Sequence, residues 1–124
     1  MAKQRPINEG LFTFKFPITA IVSILHRLSG LLLFISIPFL LWIFQQSLES
    51  FATFEETKDL LRNNSVRFIL WLFMAGFTYH FIAGIRHLFM DCGKGETLEG
   101  GRKSAKIVFI LTAILTLLAG VWLW

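Results

Sequence analysis

The polar residues that could do chemistry lie inside apolar stretches of the chain, in two short motifs. The first is S-I-L-H-R-L-S-G at 23–30, in which Ser23, His26, Arg27 and Gly30 are three or four residues apart. On a helix this spacing places them on one broad stripe. Ser, His and Arg side chains together suit a carbonyl or carboxylate group, which indicates a polar pocket. The alternative is that Arg27 extends to lipid phosphates at the end of a membrane span.

The second motif is Y-H-F-I-A-G-I-R-H-L-F-M-D at 79–91, with His80 and His87 seven residues apart on one helical face. Gly76 and Gly84 stand four residues to either side of His80, so bare backbone flanks its imidazole. A histidine with such small neighbours can present its ring to a large flat ligand, and haem is the natural candidate. An interhelical hydrogen bond from His80 and glycine-mediated helix packing are the alternatives.

A haem held without covalent attachment in an electron carrier commonly has two axial ligands. We expect His26 and His87 near the cytoplasmic surface and His80 near the middle of the bilayer, so the second ligand should come from another polypeptide. With Arg27 and Arg86, the two surface histidines form a cationic group that suits haem propionates. The same group also suits an anionic lipid head group.

The composition of the chain shows what must position these residues. Of 124 residues, 55% are hydrophobic and 16% are charged, with a mean hydropathy of +0.64. This excludes a soluble enzyme, a disordered protein and a disulfide scaffold, and it leaves an integral membrane protein. Cys92 is the single cysteine, which excludes an internal disulfide, a cysteine-based zinc site and C-x-x-C-H haem attachment. The basic residues flank apolar segments, so nucleic-acid binding is not expected.

Apolar stretches predict three transmembrane helices, at about 19–44, 66–90 and 107–124. The fold class is therefore an all-α integral membrane protein, with 1–124 as a single membrane-anchor domain. Lysine and arginine flank these spans mainly in the N-terminal tail 1–18 and the loop 91–106. The positive-inside rule places both in the cytoplasm and the loop 45–65 and the C-terminus outside. The first span starts too late and is too long for a cleaved signal peptide.

The outer loop contains F-A-T-F-E-E-T-K-D-L-L-R at 51–62, with apolar residues at 51, 54, 60 and 61. This pattern is typical of a short amphipathic helix that lies on the membrane surface. A mobile external loop is an equally good interpretation.

Four motifs identify a resemblance that covers nearly the whole chain. They are R-P-I-N at 5–8, F-P-I-T-A-I-V-S-I-L-H-R-L-S-G at 16–30, Y-H-x3-G-I-R-H-x3-D at 79–91 and G-x-R-K-S-A-K-I at 100–107. In these the chain resembles the cytochrome b membrane-anchor subunits of bacterial succinate dehydrogenase (succinate:quinone oxidoreductase, complex II).

The resemblance implies that the three helices form half of a heterodimeric haem-binding helix bundle. The other half is a second three-helix anchor subunit, and the two hold haem b between them. Flavoprotein and iron–sulfur subunits bind on the cytoplasmic side of the bacterial inner membrane, and the C-terminus is periplasmic. Electrons from succinate pass to ubiquinone, which connects the citric acid cycle to the respiratory chain. This chain would perform no dicarboxylate chemistry.

Residue by residue, the resemblance makes His80 the axial ligand of the haem iron, with the second ligand on the partner subunit. It assigns Ser23 and Arg27 to the quinone site, and His26 and Arg27 to the haem propionate side. His87 matches a motif position and is a further candidate for that side. Two rivals remain at this stage: a haem-free quinone-binding anchor of a fumarate reductase-type complex, and a small transporter or channel subunit with Arg27 and His80 along a polar path.

Overall fold

The computed structural model describes residues 15–124, which form four α-helices. They are α1 (Ile18–Glu49), α2 (Phe51–Arg62), α3 (Asn64–Asp91) and α4 (Leu98–Leu123). α1, α3 and α4 are each long and apolar enough to cross a membrane, which confirms the predicted all-α class with three candidate spans. The R-P-I-N motif at 5–8 and most of the N-terminal tail lie outside the described residues.

The segment predicted as the outer loop is largely helical. α1 continues to Glu49, and α2 then fills the amphipathic stretch 51–62. Ser50 starts α2 with a capping box, in which its hydroxyl accepts from the Thr53 amide and the Thr53 hydroxyl accepts from the Ser50 amide. The helix of the amphipathic interpretation is therefore present, whereas its position on a membrane surface stays a prediction.

The second connection is shorter than the loop 91–106 that hydropathy predicts. Gly93 and Gly95 turn the chain with φ values of 73° and 77°, which favour glycine. The Thr97 side chain then caps α4 by accepting from the Gly100 amide at 3.1 Å, and the helix begins at Leu98. Helix limits and membrane limits are different quantities, so the span boundaries themselves stay predictions.

Small side chains hold the three long helices together. The buried apolar residues are Val22 on α1, Tyr79 and Ala83 on α3, and Ala105 and Val108 on α4. Small residues allow close approach, which drives helix association where lipid removes the hydrophobic effect between helices. Most large apolar side chains point outward instead, so the outer surface suits lipid tails and other transmembrane helices.

Two polar side chains of α3 form three hydrogen bonds with α4. Trp71 donates from Nε1 to the Thr116 carbonyl at 2.8 Å. Arg86, only 6% exposed, donates from Nε to the Ser104 hydroxyl at 3.0 Å and from Nη2 to the Gly101 carbonyl at 3.4 Å. A buried guanidinium needs such partners, because an unpaired charge in an apolar environment is costly.

Replacing Arg86 should therefore weaken the contact between α3 and α4. We expect Arg86→Ala to lower the free energy of unfolding by about 1–3 kcal/mol, because hydrogen bonds from a buried charged donor are lost. The measurement is a denaturation curve of the purified protein in detergent. Arg102→Ala is the matched control, since Arg102 is exposed on α4. Equal destabilisation by both variants would contradict the structural role of Arg86.

Candidate functional site between α1 and α3

The candidate site forms where α1 and α3 approach closely at two glycines. A Cβ atom on Gly30 would lie 3.0 Å from Cε1 of His80, and one on Gly84 would lie 3.3 Å from Nε2 of His26. Both distances are tighter than ordinary van der Waals contacts. Each imidazole therefore occupies space that a side chain on the facing helix would fill.

The glycines have different neighbours from those that spacing along α3 predicts. Gly84 makes room for His26, and a Cβ atom on Gly76 would meet only Cδ2 of Leu32, at 3.2 Å. The residue that makes room for His80 is Gly30, on the other helix. Gly76 and Gly84 therefore serve helix packing, and the expectation that they leave open space for a flat ligand beside His80 is wrong, because side chains of α1 occupy that space.

His80 is tied to α1 through one ring nitrogen. Its Nδ1 lies 3.0 Å from the Ser29 hydroxyl and 3.1 Å from the His26 carbonyl oxygen. A carbonyl oxygen can only accept, so we assign the ring proton to Nδ1 on the basis of this contact. The lone pair is then on Nε2, which makes no hydrogen bond with any residue between 15 and 124. His80 thus combines an interhelical hydrogen bond with a nitrogen that can bind a metal.

The three histidine rings lie in a row. His26 stacks on His80 with ring centroids 4.2 Å apart and planes 13° apart, and its centroid is 4.9 Å from that of His87. The Nε2 atom of His87 is buried and lacks a hydrogen-bond partner among the described residues. A buried polar nitrogen normally has a partner, so this position suits a group supplied from outside the chain.

This row bears on the expectation that a second haem ligand would come from another polypeptide. The sequence predicts different depths in the membrane for His26 and His80, whereas the structure places the two rings in contact. Two imidazoles that bind one haem iron approach it from opposite faces, with the iron between their nitrogens. Rings stacked at 4.2 Å leave no space for that arrangement, so His26 cannot be the ligand opposite His80.

Within residues 15–124, no group of three or more His, Cys, Asp or Glu side chains is arranged to hold a metal ion. A metal bound solely by side chains of this segment therefore has no candidate site. A single free imidazole nitrogen fits a different case, in which a macrocycle supplies most of the ligands and the protein supplies an axial one.

The proposed quinone residues lie on α1 to either side of His26 in the sequence. Ser23 is half-buried and Arg27 is exposed, and neither makes a hydrogen bond with another described side chain or carbonyl group. Their spacing of four residues keeps both on one helical face. No residue between 15 and 124 accepts from their side-chain donors, and their assignment to a quinone stays a prediction.

Arg86 does not join the histidines that sequence reasoning grouped with it. Its guanidinium points to α4, where it bonds Ser104 and Gly101, as described above. The sequence could not show this, because Arg86 and His87 are adjacent and hence about 100° apart around the helix. The cationic group is accordingly smaller than expected on the α1–α3 side.

Ser29 is the residue of the site that sequence reasoning missed. It is 9% exposed, and its hydroxyl contacts both the His26 carbonyl and the ring of His80. A signal was present, since Ser29 is three residues from His26 and precedes Gly30. This spacing alone does not indicate a contact with another helix, because a serine hydroxyl in a helix commonly bonds a carbonyl of its own preceding turn.

Comparisons with known proteins agree on one family. Residues 1–119 match the family described as succinate dehydrogenase/fumarate reductase transmembrane subunit. A succinate dehydrogenase cytochrome b556 subunit of Coxiella burnetii is 39% identical, and the match covers 100% of both chains. A protein of the same name from Paracoccus denitrificans is 32% identical over 92% of this chain and 90% of the relative. The succinate dehydrogenase cytochrome b560 subunit of Reclinomonas americana is 31% identical over 93% of this chain and 83% of the relative.

The glycine geometry predicts different outcomes for two similar substitutions. Gly30→Ala should lower the free energy of unfolding by about 1–3 kcal/mol, because the new methyl group displaces a ring that is hydrogen-bonded in place. Gly76→Ala is the control: it meets only the flexible end of Leu32, and alanine gains about 0.5–1 kcal/mol in helix preference. Denaturation of both variants in detergent measures the difference. If Gly76→Ala were the more destabilising, the close approach at Gly30 would be wrong.

Proposed function

Because the chain belongs to the family of succinate dehydrogenase/fumarate reductase transmembrane subunits, we propose that it is the cytochrome b anchor subunit of a succinate dehydrogenase. In this role it binds haem b jointly with a second anchor subunit and contributes to the site of ubiquinone reduction. The observation that carries the haem assignment is the His80 imidazole, whose Nδ1 is bonded to α1 while Nε2 keeps its lone pair.

The residues around His80 fit a haem group. A metal-binding histidine usually donates its second ring N–H to a carbonyl, carboxylate or similar acceptor, and His80 has two such acceptors on α1. The curated relatives are named as b-type cytochromes, which supports the same assignment. Haem b, when bound, supplies reversible one-electron transfer. His80 would hold the haem iron through Nε2, and His26 and His87 are the candidates to bind the propionates.

A second membrane subunit follows from the geometry of the histidines and from the outer surface. His26 is stacked on His80 and cannot serve as the opposite ligand. Most large apolar side chains of the long helices face outward, so a neighbouring bundle can pack against them. We infer that a second three-helix anchor subunit provides the other axial ligand and completes the haem pocket.

Ser23 and Arg27 are the proposed quinone-binding residues. A quinone needs donors to its carbonyl oxygens, which become more negative as electrons arrive. The Ser23 hydroxyl can donate one hydrogen bond, and the Arg27 guanidinium can stabilise the anionic reduced forms. Both side chains have donors available on the same face of α1.

The charges at one end of the bundle indicate how the subunit sits in the complex. The first turn of α1, the end of α3 and the start of α4 lie together, and exposed basic residues of α4 (Arg102, Lys103 and Lys106) are at this end. By the positive-inside rule this end is cytoplasmic in the bacterial inner membrane. The flavoprotein and iron–sulfur subunits would dock here, and the flavoprotein would carry out the dicarboxylate chemistry.

The family description also includes fumarate reductases, so a haem-free quinone-binding anchor is the second candidate. The two functions differ in one observable. An oxidised-minus-reduced absorption spectrum of the purified complex shows b-type haem bands in the first case and none in the second.

His80→Ala should remove most of the bound haem while the four subunits still co-purify, because the variant loses an axial ligand but keeps other contacts between α1 and α3, such as the hydrogen bond from Tyr79 to Val22. Haem content per flavin, measured from the reduced spectrum, gives the result. His87→Ala, on the same helix, is the comparison and should lose less haem, because it would remove a propionate contact and not an iron ligand. Unchanged haem in His80→Ala would show that another residue is the ligand.

Ser23→Ala and Arg27→Ala should each slow quinone reduction at least tenfold, the effect of losing about 1.4 kcal/mol of transition-state stabilisation. Succinate oxidation with an artificial dye acceptor should continue at the normal rate, since the dye bypasses the quinone site. Ser47→Ala and Arg62→Ala serve as controls, since both residues lie at the opposite end of the bundle. Parallel loss of both activities would indicate failed assembly rather than a quinone role.

A further inference from the structure

The hydroxyl group of Ser29 lies at the centre of the contact between His80 and α1. Its Oγ is 3.0 Å from Nδ1 of His80 and 2.8 Å from the carbonyl oxygen of His26, and that carbonyl is itself 3.1 Å from Nδ1. The three groups thus form a closed triangle, with Ser29 buried at 9% exposure. We propose that Ser29 is the positioning residue that fixes the tautomer and orientation of His80 as a haem ligand, an inference that rests on the proposed function.

We assign the protons of this triangle from the contact between His80 and the His26 carbonyl. The carbonyl oxygen of His26 accepts and never donates, so Nδ1 of His80 must carry a proton to face it. With Nδ1 acting as a donor, Ser29 Oγ must accept from it. The hydroxyl proton of Ser29 is then directed to the His26 carbonyl at 2.8 Å. Each donor has a partner, and the iron-binding lone pair is restricted to Nε2.

The Ser29 hydroxyl provides a second acceptor for Nδ1 of His80, beside the His26 carbonyl. Two acceptors on α1 share the single Nδ1 proton of a ring whose backbone belongs to α3, so rotation of the imidazole would lose both contacts at once. Accepting from Nδ1 also increases the electron density of the ring, which raises its basicity as a ligand. The position of the ring and its strength as a ligand are therefore set together.

A second buried serine on α1 provides a matched control. Ser36 is seven residues from Ser29, which places it on nearly the same helical face, and it is 2% exposed. Its hydroxyl donates to the Leu32 carbonyl of its own helix at 2.6 Å. Both serine hydroxyls bond a carbonyl of their own helix. Of the two, only Ser29 also contacts a ring on α3.

The test compares Ser29→Ala with Ser36→Ala in the intact purified complex. Haem affinity is measured by transfer of haem to excess apomyoglobin, and the ligand field by the low-spin electron paramagnetic resonance signal of the oxidised complex. We expect Ser29→Ala to weaken haem retention roughly tenfold or more, within the range for partners of metal ligands. Its resonance positions should shift, and its haem midpoint potential should rise, because a less basic imidazole stabilises ferric iron less. Ser36→Ala should match the unmodified complex in all three measurements.

If Ser29→Ala fails to assemble, Ser29→Cys decides the question. A thiol is close in size but a weaker acceptor, so the same shifts should appear at smaller amplitude. The proposal is overturned if the Ser29 variant that assembles matches Ser36→Ala in resonance positions and haem affinity. His80→Ala is measured in parallel. Retention of haem in that variant would overturn the ligand assignment itself, whereas loss of haem there with no effect at Ser29 overturns only the positioning role.

Discussion

The close approach of α1 and α3 is the constraint on which the rest of the site depends. Hydrocarbon offers no hydrogen-bond partners, so a polar ring in a membrane helix must find them on a neighbouring helix. Glycine at 30 and 84 brings the two backbones near enough for His80 to reach acceptors on α1. The same proximity lets the Tyr79 hydroxyl donate to the Val22 carbonyl at 2.9 Å, a few residues away. Side chains at those glycines would separate the helices and leave these groups unpaired.

The fold was predictable from the sequence to the extent that it is set by the bilayer. Length and hydropathy report the thickness of the hydrocarbon layer directly, so the three long helices could be recognised without any tertiary information. Helix ends depend on other physics. α4 begins at Leu98 because the Thr97 side chain caps it, and its first turns carry Glu99 and Arg102, which hydropathy reads as loop. α2 is likewise defined by the Ser50 cap as much as by its amphipathic pattern.

The site was predictable only along each helix separately. Periodicity grouped Ser23 with Arg27 and His80 with His87, because spacing of three, four or seven residues defines a face. It carries no information on how far one helix slides past another. That axial offset places the ring of His26 against the ring of His80. It also makes Gly30 the residue whose missing side chain leaves space for the His80 ring. Ser29 was overlooked for the same reason, since its second partner lies on α3.

Because α4 begins at Leu98, its basic residues point in fixed directions around the helix axis. An inserted or deleted residue in a loop changes the local course of the backbone and leaves the neighbouring helices in place. The turn that contains Gly93 and Gly95 could accept such a change. Between Leu98 and Val108 the chain is a continuous helix packed on α3, so each added residue turns everything before it by about 100° and moves it about 1.5 Å along the axis. A change of length within this segment would therefore rotate its basic residues relative to the face that packs on α3. A change of length in the turn at Gly93 and Gly95 would leave the directions of the basic side chains unaltered. These are Arg102, Lys103 and Lys106.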